Sequence, residues 1–290
     1  MFLNAATPLF TYLSFIQPFS IAISRGPYRP TLANVSLHQT RHRPGKSFCR
    51  EKDTAMKTPA RPSVIVFDVN ETLIDITTLE PLFGRIFGDV AVMREWFGQL
   101  ILYSEAVTLS GIYVPFGDLA AGVLRMIGDI RQRKIGDTDI AEMKMLLQTM
   151  PPHAGVADAM IRLKTAGFRL VTLTNSPPGN GSGPLDKAGL AGHFEQMFSV
   201  DAVRKFKPAI EVYQMVADAL EVDLADMCLV AAHAWDTLGA QAAGCAGALV
   251  TLPGNAVLHV PGLPVPDIVA RDIRDVADKI IRLWGDACDS

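Results

Sequence analysis

Short runs of apolar residues alternate with amphipathic stretches from Ser63 to the end of the chain. The first run, residues 64–67, is continuous and ends at an acid, Asp68. Further runs of this kind occupy residues 168–175, 196–201, 227–233 and 247–252. Stretches with helical spacing lie between them at residues 155–166, 209–220 and 236–243. Continuous apolar runs are typical of strands buried on both faces, so the alternation predicts an α/β fold, a doubly wound parallel sheet covered by helices.

Residues 77–150 break this alternation. Their apolar positions recur at helical spacing in segments such as AVMREWFGQLILYSEAVTL and FGDLAAGVLRMIG, and no segment is typical of a strand. About four helices are therefore predicted between the first strand and the rest of the sheet. We interpret residues 77–150 as a helical cap, and residues 57–76 together with 151–290 as the α/β core domain.

Residues 1–56 have a different composition. Residues 1–24 carry no charge, and residues 25–50 contain basic but no acidic side chains. This composition resembles an organelle transit peptide, and the apolar stretch 9–23 resembles a secretory signal without its positive beginning. We favour a leader that is disordered or belongs to an over-long gene model, because Met56 opens a sequence normal for a cytoplasmic α/β enzyme. Organelle or secretory targeting is the alternative.

Composition narrows the function classes. The chain has 290 residues, is 49% hydrophobic and carries a net charge of -3, which suits one globular unit and gives no argument for nucleic acid or a membrane as partner. Its four cysteines are Cys49, Cys228, Cys245 and Cys288. No pair has the spacing of metal ligands, so we expect reduced and mostly buried thiols of a cytoplasmic protein.

Polar side chains follow the predicted strands at their carboxyl ends. They are Asp68 after the first strand, Thr174 and Asn175 at the end of the second, Lys205 and Lys207 after the third, and His233 and Asp236 after the fourth. Singly, each has an ordinary explanation as a helix cap, a turn residue or a solvated lysine. Together they converge on the edge where parallel sheets bind ligands, which predicts a functional site.

The chemistry expected at this edge is covalent. A strand end holds a carboxylate rigidly, and a rigid carboxylate can attack a substrate to form an ester. Lys207 favours the ionised form of Asp68, which is the nucleophilic form. Water must then cleave the ester, and Asp236 is the candidate second group for that step.

Four segments carry a resemblance to a known family. FDVNETLID, TLTNSP, FKPAIEVY and VAAHAWDTLGA occur in the order and spacing of the haloacid dehalogenase superfamily, and the chain is most similar to its type II 2-haloacid dehalogenases across residues 62–284. The resemblance implies a Rossmann-like sheet with a helical cap and hydrolysis of short 2-haloalkanoic acids to 2-hydroxy acids through an aspartyl ester. It also implies a small anionic substrate and no metal or cofactor, and capped enzymes of this family are often homodimers.

The resemblance assigns roles residue by residue. Asp68 matches the nucleophile, Lys207 the lysine that neutralises it, and Asp236 the late acid implicated in water activation. The other matches are Thr72 in the nucleophile loop, Thr174 and Asn175 after the second strand, and Tyr213 after the lysine.

Several positions depart from the family pattern. Asn70 and Glu71 stand where dehalogenases have an aromatic residue and a glycine, and Ala231 and His233 stand where they have serine and asparagine. Phosphatases of the superfamily carry a proton-donating aspartate at position 70, and an amide cannot donate in that way. We expect His233 to face the site, where it would bind water or substrate and change charge near neutral pH.

The cap arginine that binds the substrate carboxylate is also replaced. Phe97 stands at its position, and Arg94, about one helical turn away, either substitutes for it or is a solvated helix residue. Two alternatives to a dehalogenase follow. One is a phosphatase that uses Mg²⁺ held by Asp68 and Asp236, and the other is a binding protein that has lost catalysis. Phosphate release with Mg²⁺ would support the first, and anion binding without turnover the second.

Overall fold

The computed structural model describes residues 61–178 and 183–285. All of them belong to one compact unit, Ala55–Ser290. The interpretation of residues 1–56 lies outside the described residues. Among the residues described, no helix has the length and apolarity needed to cross a lipid bilayer.

The sheet has six strands, all parallel, in the order β3-β2-β1-β4-β5-β6. They are β1 (Val64–Phe67), β2 (Arg169–Thr174), β3 (Gln196–Ser199), β4 (Met227–Ala231), β5 (Ala246–Val250) and β6 (Ile268–Ala270). Every residue of β1 and β4 is buried, because these central strands are covered on both faces. The predicted fold class is thus confirmed, with observed strands one or more residues shorter than several of the predicted runs.

The helices of the described residues fall into two groups. The cap helices are α1 (Glu80–Phe87), α2 (Val92–Leu109), α3 (Phe116–Ile130) and α4 (Asp137–Leu147). The helices around the sheet are α5 (Val156–Thr165), α6 (Pro184–Lys187), α7 (Ile210–Leu220), α8 (Ala234–Ala243) and α9 (Ile273–Trp284). The helices of the first group match the prediction of about four helices between β1 and the rest of the sheet.

Aromatic packing joins the cap helices to one another. Trp96 on α2 is fully buried, contacts Phe83 of α1 with ring centroids 5.4 Å apart, and donates its Nε1–H to the Ala120 carbonyl of α3 at 3.0 Å. Buried indole N–H groups need such a partner. Phe97 of α2 packs on the ring of His233, which follows β4, so α2 lies against the carboxyl edge of the strands.

A glycine brings α8 close to the loop before α7. A Cβ at Gly239 would lie 2.3 Å from the Pro208 Cβ and 2.8 Å from the Tyr213 Oη. Only glycine permits this approach, and it places Asp236, one turn earlier on α8, within reach of Tyr213.

We expect Gly239→Ala to destabilise the protein by about 1–3 kcal/mol, because overpacking forces α8 away from Pro208. Gly98→Ala is the matched control, since no atom lies within 4 Å of a Cβ built at this exposed position in α2. It should raise the free energy of unfolding by about 0.5–1 kcal/mol, as alanine does in helix interiors. Urea titration measures both. Equal stabilisation by the two substitutions would contradict the tight approach at Gly239.

Candidate active site

The carboxylate of Asp68 is fixed from two sides at the end of β1. Its backbone N–H donates to the Val230 carbonyl of β4 at 3.0 Å, which continues the ladder one residue beyond the strand. Its Oδ1 accepts a hydrogen bond from the Lys207 Nζ at 2.7 Å, and its Oδ2 accepts one from the Thr72 Oγ1 at 2.6 Å. The side chain is buried but reachable, with the residue 5% exposed.

Thr72 connects the nucleophile loop to the end of β4. Its hydroxyl donates to Asp68 and accepts from the backbone N–H of Ala232 at 2.9 Å. Because the Ala232 N–H fixes the direction of the hydroxyl proton, the threonine holds one carboxylate oxygen in a set orientation.

Lys207 joins the two acids of the site. Its Nζ donates to Asp68, to the Asp236 Oδ2 at 2.6 Å and to the Leu173 carbonyl at 3.2 Å, which uses all three of its N–H groups. Its backbone N–H donates to the Asn175 Oδ1 at 3.0 Å. Burial alone would lower the pKa of Lys207, but the charges of Asp236 and Asp68 outweigh it and raise that pKa above its usual value. The ammonium therefore stays charged.

Asp236 is the more deeply buried acid, at 0% exposure. Its Oδ1 accepts a hydrogen bond from the Tyr213 Oη at 2.7 Å, while its Oδ2 accepts from Lys207. Burial raises the pKa of Asp236; the positive charge of Lys207 opposes the shift, and the negative charge of Asp68 adds to it. Burial and the charge of Asp236 also raise the pKa of Tyr213 well above its usual value, so Tyr213 remains a hydrogen-bond donor.

The loop after β2 meets the loop after β1. Asn70 donates its Nδ2–H to the Ser176 Oγ at 3.1 Å, and the Ser176 backbone N–H donates to the Thr174 Oγ1 at 3.1 Å. The Ser199 hydroxyl donates to the Ser176 carbonyl at 2.7 Å. Thr174 therefore shapes the turn that carries Asn175, and Asn70 lines the same edge as an amide rather than as an acid.

Phe97 and Arg94 of α2 take different directions. Phe97 lines a cavity between cap and core and packs on the His233 ring, with centroids 5.2 Å apart. Arg94 is ion-paired with Glu71 and donates to the Pro253 carbonyl at 3.3 Å. Arg94 is not among the residues that line the cavity. The guanidinium therefore binds residues of the α/β core domain and not the cavity. The role of Arg94 as a substitute for the family's cap arginine stays a prediction.

The cavity has a volume of about 450 Å³. Its walls are mainly apolar and come from α2, α3, α4 and the loop after β2; they include Trp96, Phe97, Leu100, Phe116, Leu147 and Pro177. Asn70 and Ser176 line it on the side of the strand ends, whereas Asp68 itself does not. Asp118, Lys144 and Gln148 add polar side chains from the cap. A substrate held there would lie against mainly apolar walls with a few polar groups, as in small-molecule sites generally.

Some residues near the site were not predicted from the sequence. Glu71 accepts hydrogen bonds from Arg94 and from the Asn255 Nδ2, the latter at 3.3 Å, and its carbonyl contacts the His153 Nε2 at 2.9 Å. Trp235 stacks on His233 with centroids 5.3 Å apart. The contact between Glu71 and His233 could have been inferred from the sequence, because both positions depart from the family pattern and an acid and a histidine can form a pair.

The cysteines of the described residues take no part in the site. Cys228 and Cys245 are free and buried. Burial raises the pKa of Cys245 to about 12 and that of Cys228 well above its usual value, so both are thiols at neutral pH. Cys49 and Cys288 lie outside the described residues.

A buried aspartate at the end of a parallel strand, paired with a lysine and a second acid beneath inserted helices, is typical of a class of α/β hydrolases. The model of the haloacid dehalogenase-like hydrolase family matches residues 62–244. The chain belongs to the haloacid dehalogenase-like hydrolase family, and the predicted family is confirmed.

Named relatives agree with this assignment. (S)-2-haloacid dehalogenase 1 of Pseudomonas sp. (strain CBS-3) is 31% identical over 62% of this chain and 80% of its own length. (S)-2-haloacid dehalogenase of Pseudomonas sp. (strain YL) is 27% identical over 66% of this chain and 83% of its own. L-2-haloacid dehalogenase from Xanthobacter autotrophicus, solved with chloropropionic acid covalently bound, shares the fold with a TM-score of 0.68 and 22% identity over 76% of this chain and 98% of its own.

Proposed function

We propose that the protein hydrolyses 2-haloalkanoic acids to 2-hydroxy acids through an ester on Asp68. The observation that carries this proposal is the Asp68 carboxylate, which Lys207 and Thr72 hold at the end of β1. The similarity to named (S)-2-haloacid dehalogenases supports the choice of reaction within the family.

The first step makes the ester. A carboxylate oxygen of Asp68 attacks the carbon that bears the halogen, and the halide leaves with the bonding electron pair, so the configuration at that carbon inverts. Halide is a stable anion and needs no proton, which fits the amide of Asn70 at the position of the phosphatase acid. The cap excludes water until the ester has formed.

The second step cleaves the ester. Water adds to the Cγ of Asp68, the bond from Cγ to the substrate oxygen breaks, and the 2-hydroxy acid leaves. Lys207 remains between the two acids throughout and holds the regenerated Asp68 ready for the next turnover.

A magnesium-dependent phosphatase fits these residues less well. The Lys207 ammonium lies 2.7 Å from the Asp68 Oδ1 and 2.6 Å from the Asp236 Oδ2, so a cation already bridges the two acids that would hold the metal. In the proposed reaction no cofactor is required. The homodimer and the cytoplasmic location stay predictions.

The proposal is tested by halide release from the purified protein in metal-free buffer. We expect release from chloroacetate and 2-chloropropionate, and faster release from 2-bromo acids with longer side chains. The cavity has the size of sites for larger ligands, and each buried CH₂ contributes about 0.8 kcal/mol, or about fourfold in kcat/KM. Phosphate monoesters with Mg²⁺ run in parallel. Phosphate release without halide release would contradict the proposal.

A further inference from the structure

Glu71 is an acid held in an unusual setting next to the nucleophile. Its backbone φ is +69°, a left-handed conformation that residues other than glycine rarely adopt, and the residue is 2% exposed. Arg94 and Asn255 bind its Oε1, and His153 contacts its carbonyl. These contacts leave the second carboxylate oxygen, Oε2, for another partner.

That partner is His233. The Glu71 Oε2 lies 3.3 Å from the His233 Nε2, and neither atom has a hydrogen bond to another group of the described residues. Both atoms are buried, and buried polar atoms are normally satisfied. A carboxylate facing the Nε2 favours the tautomer of the neutral imidazole that carries its proton on that nitrogen, which leaves the Nδ1 as the basic one.

His233 packs on the cavity wall and follows directly after the residue that binds the Thr72 hydroxyl. It directly precedes α8, and its ring packs on Phe97 of the cavity wall and on Trp235, whose ring centroid is 5.7 Å from the Lys207 Nζ. The preceding N–H, that of Ala232, binds the Thr72 hydroxyl that holds Asp68. The imidazole is therefore one residue away from the backbone N–H that holds Thr72 against Asp68.

Ester hydrolysis requires a base that water can reach. Both oxygens of Asp236 accept hydrogen bonds, from Lys207 and Tyr213, and its exposure is 0% against 6% for His233. Charged groups lie around the imidazole at different removes. Glu71 contacts the ring directly, and Arg94 is paired with Glu71. Lys207 lies on the Trp235 ring that stacks on His233, and the backbone N–H of Asp236 donates to the His233 carbonyl. Glu71 is the charged side chain in direct contact, and it is negative.

We propose that His233, oriented by Glu71, is the base for the second half of the reaction. This inference rests on the proposed function. The water oxygen bonds to the Cγ of Asp68 while one water proton passes to His233. When the bond from Cγ to the substrate oxygen breaks, that oxygen takes the proton from His233, and the remaining water proton goes to solvent as Asp68 returns to a carboxylate. His233 touches the water, and Glu71 is a positioning residue.

The test is a single-turnover experiment with 2-bromopropionate followed by intact-protein mass measurement. In His233→Ala, which removes the imidazole without introducing the asparagine that dehalogenases carry at this position, we expect one equivalent of halide per site in a burst, an ester adduct on Asp68, and steady-state turnover about 10²–10³-fold below wild type. Glu71→Gln should lower kcat less than His233→Ala does and leave KM unchanged, since the imidazole loses the partner that orients it. His193→Asn, in the short 3-10 helix that precedes β3, should match wild type.

Each other outcome is informative. Normal turnover in His233→Ala without adduct would overturn the role of His233 and leave the dehalogenase reaction standing. An adduct in Asp236→Asn but not in His233→Ala would overturn it as well, in favour of Asp236. Absence of both halide burst and adduct from wild type and every variant would overturn the proposed function and this inference together. Thermal melts of each variant separate loss of chemistry from loss of folding.

Discussion

Asp68→Asn is expected to lower halide release by at least about 10⁴-fold, the scale of loss when a covalent nucleophile is removed. An amide oxygen does not displace halide at a useful rate, and no ester should appear on the protein. Folding should survive, because the Thr72 hydroxyl can still donate to the amide oxygen and Lys207 retains Asp236. The measurement is halide release together with the intact mass after incubation with substrate.

Asp75→Asn is the matched control for this substitution. It makes the same chemical change seven residues further along, at a side chain whose Oδ1 caps a short turn by accepting from the Thr77 N–H at 2.9 Å. Asparagine is an equally good cap, so activity and stability should both stay at the wild-type level. If Asp68→Asn released halide as fast as Asp75→Asn does, the covalent mechanism would be wrong.

Strand ends were the predictable part of the site. The apolar runs ending in Asp68 and Asn175 could be read from period and composition alone, because buried parallel strands are continuous. The convergence of Lys207 and Asp236 on Asp68 followed from strand–helix alternation, since the loops after parallel strands meet at one edge. The three side chains are in fact joined by hydrogen bonds of 2.6 and 2.7 Å.

The last strand, β6, and the side-chain contacts between the cap and the core could not be predicted in the same way. β6 is a three-residue strand of the sequence IVA with an exposed middle residue, which is too short for a periodicity signal. The pairing of Arg94 with Glu71 joins residues 23 positions apart on different layers, and no local pattern encodes it. Glu71 itself resembled a loop acid, because its left-handed backbone and burial arise only in the folded chain.

We expect Lys207→Met to lower both the stability and the activity of the protein by a large amount. Removing the ammonium leaves the Asp68 and Asp236 carboxylates buried beside each other with no cation between them. Breaking a buried ion pair by deleting one partner costs about 3–5 kcal/mol. For a protein of this size that is a fall in Tm of roughly 6–20 °C. Halide release should fall by about 10²–10³-fold, as when one preorganised electrostatic contact is lost.

The pH dependence of this loss has a definite sign. Burial already raises the pKa of Asp236, and without Lys207 that pKa should rise further. An acid whose pKa is higher in the folded than in the unfolded protein makes the folded state less stable as the pH rises above the unfolded pKa. The pKa of Lys207 is raised in the wild type, so its contribution is present below the unfolded lysine pKa and is lost at more alkaline pH. The stability difference between wild type and variant should therefore be small near pH 3–4, full from about pH 6 to 10, and smaller again above that range.

Lys205→Met provides the comparison. Lys205 is exposed and pairs with Glu211 at the surface, so its removal should change the free energy of unfolding by no more than about 1 kcal/mol. The double variant Lys207→Met with Asp236→Asn should recover part of the lost stability, because only one buried charge then lacks a partner, yet remain inactive. Denaturant titrations at pH 4, 7 and 9 measure all three variants. A Lys207→Met protein as stable as Lys205→Met at pH 7 would show that the ammonium does not hold the two acids together, and that Asp68 must be kept in place by Thr72 and the end of β4 alone.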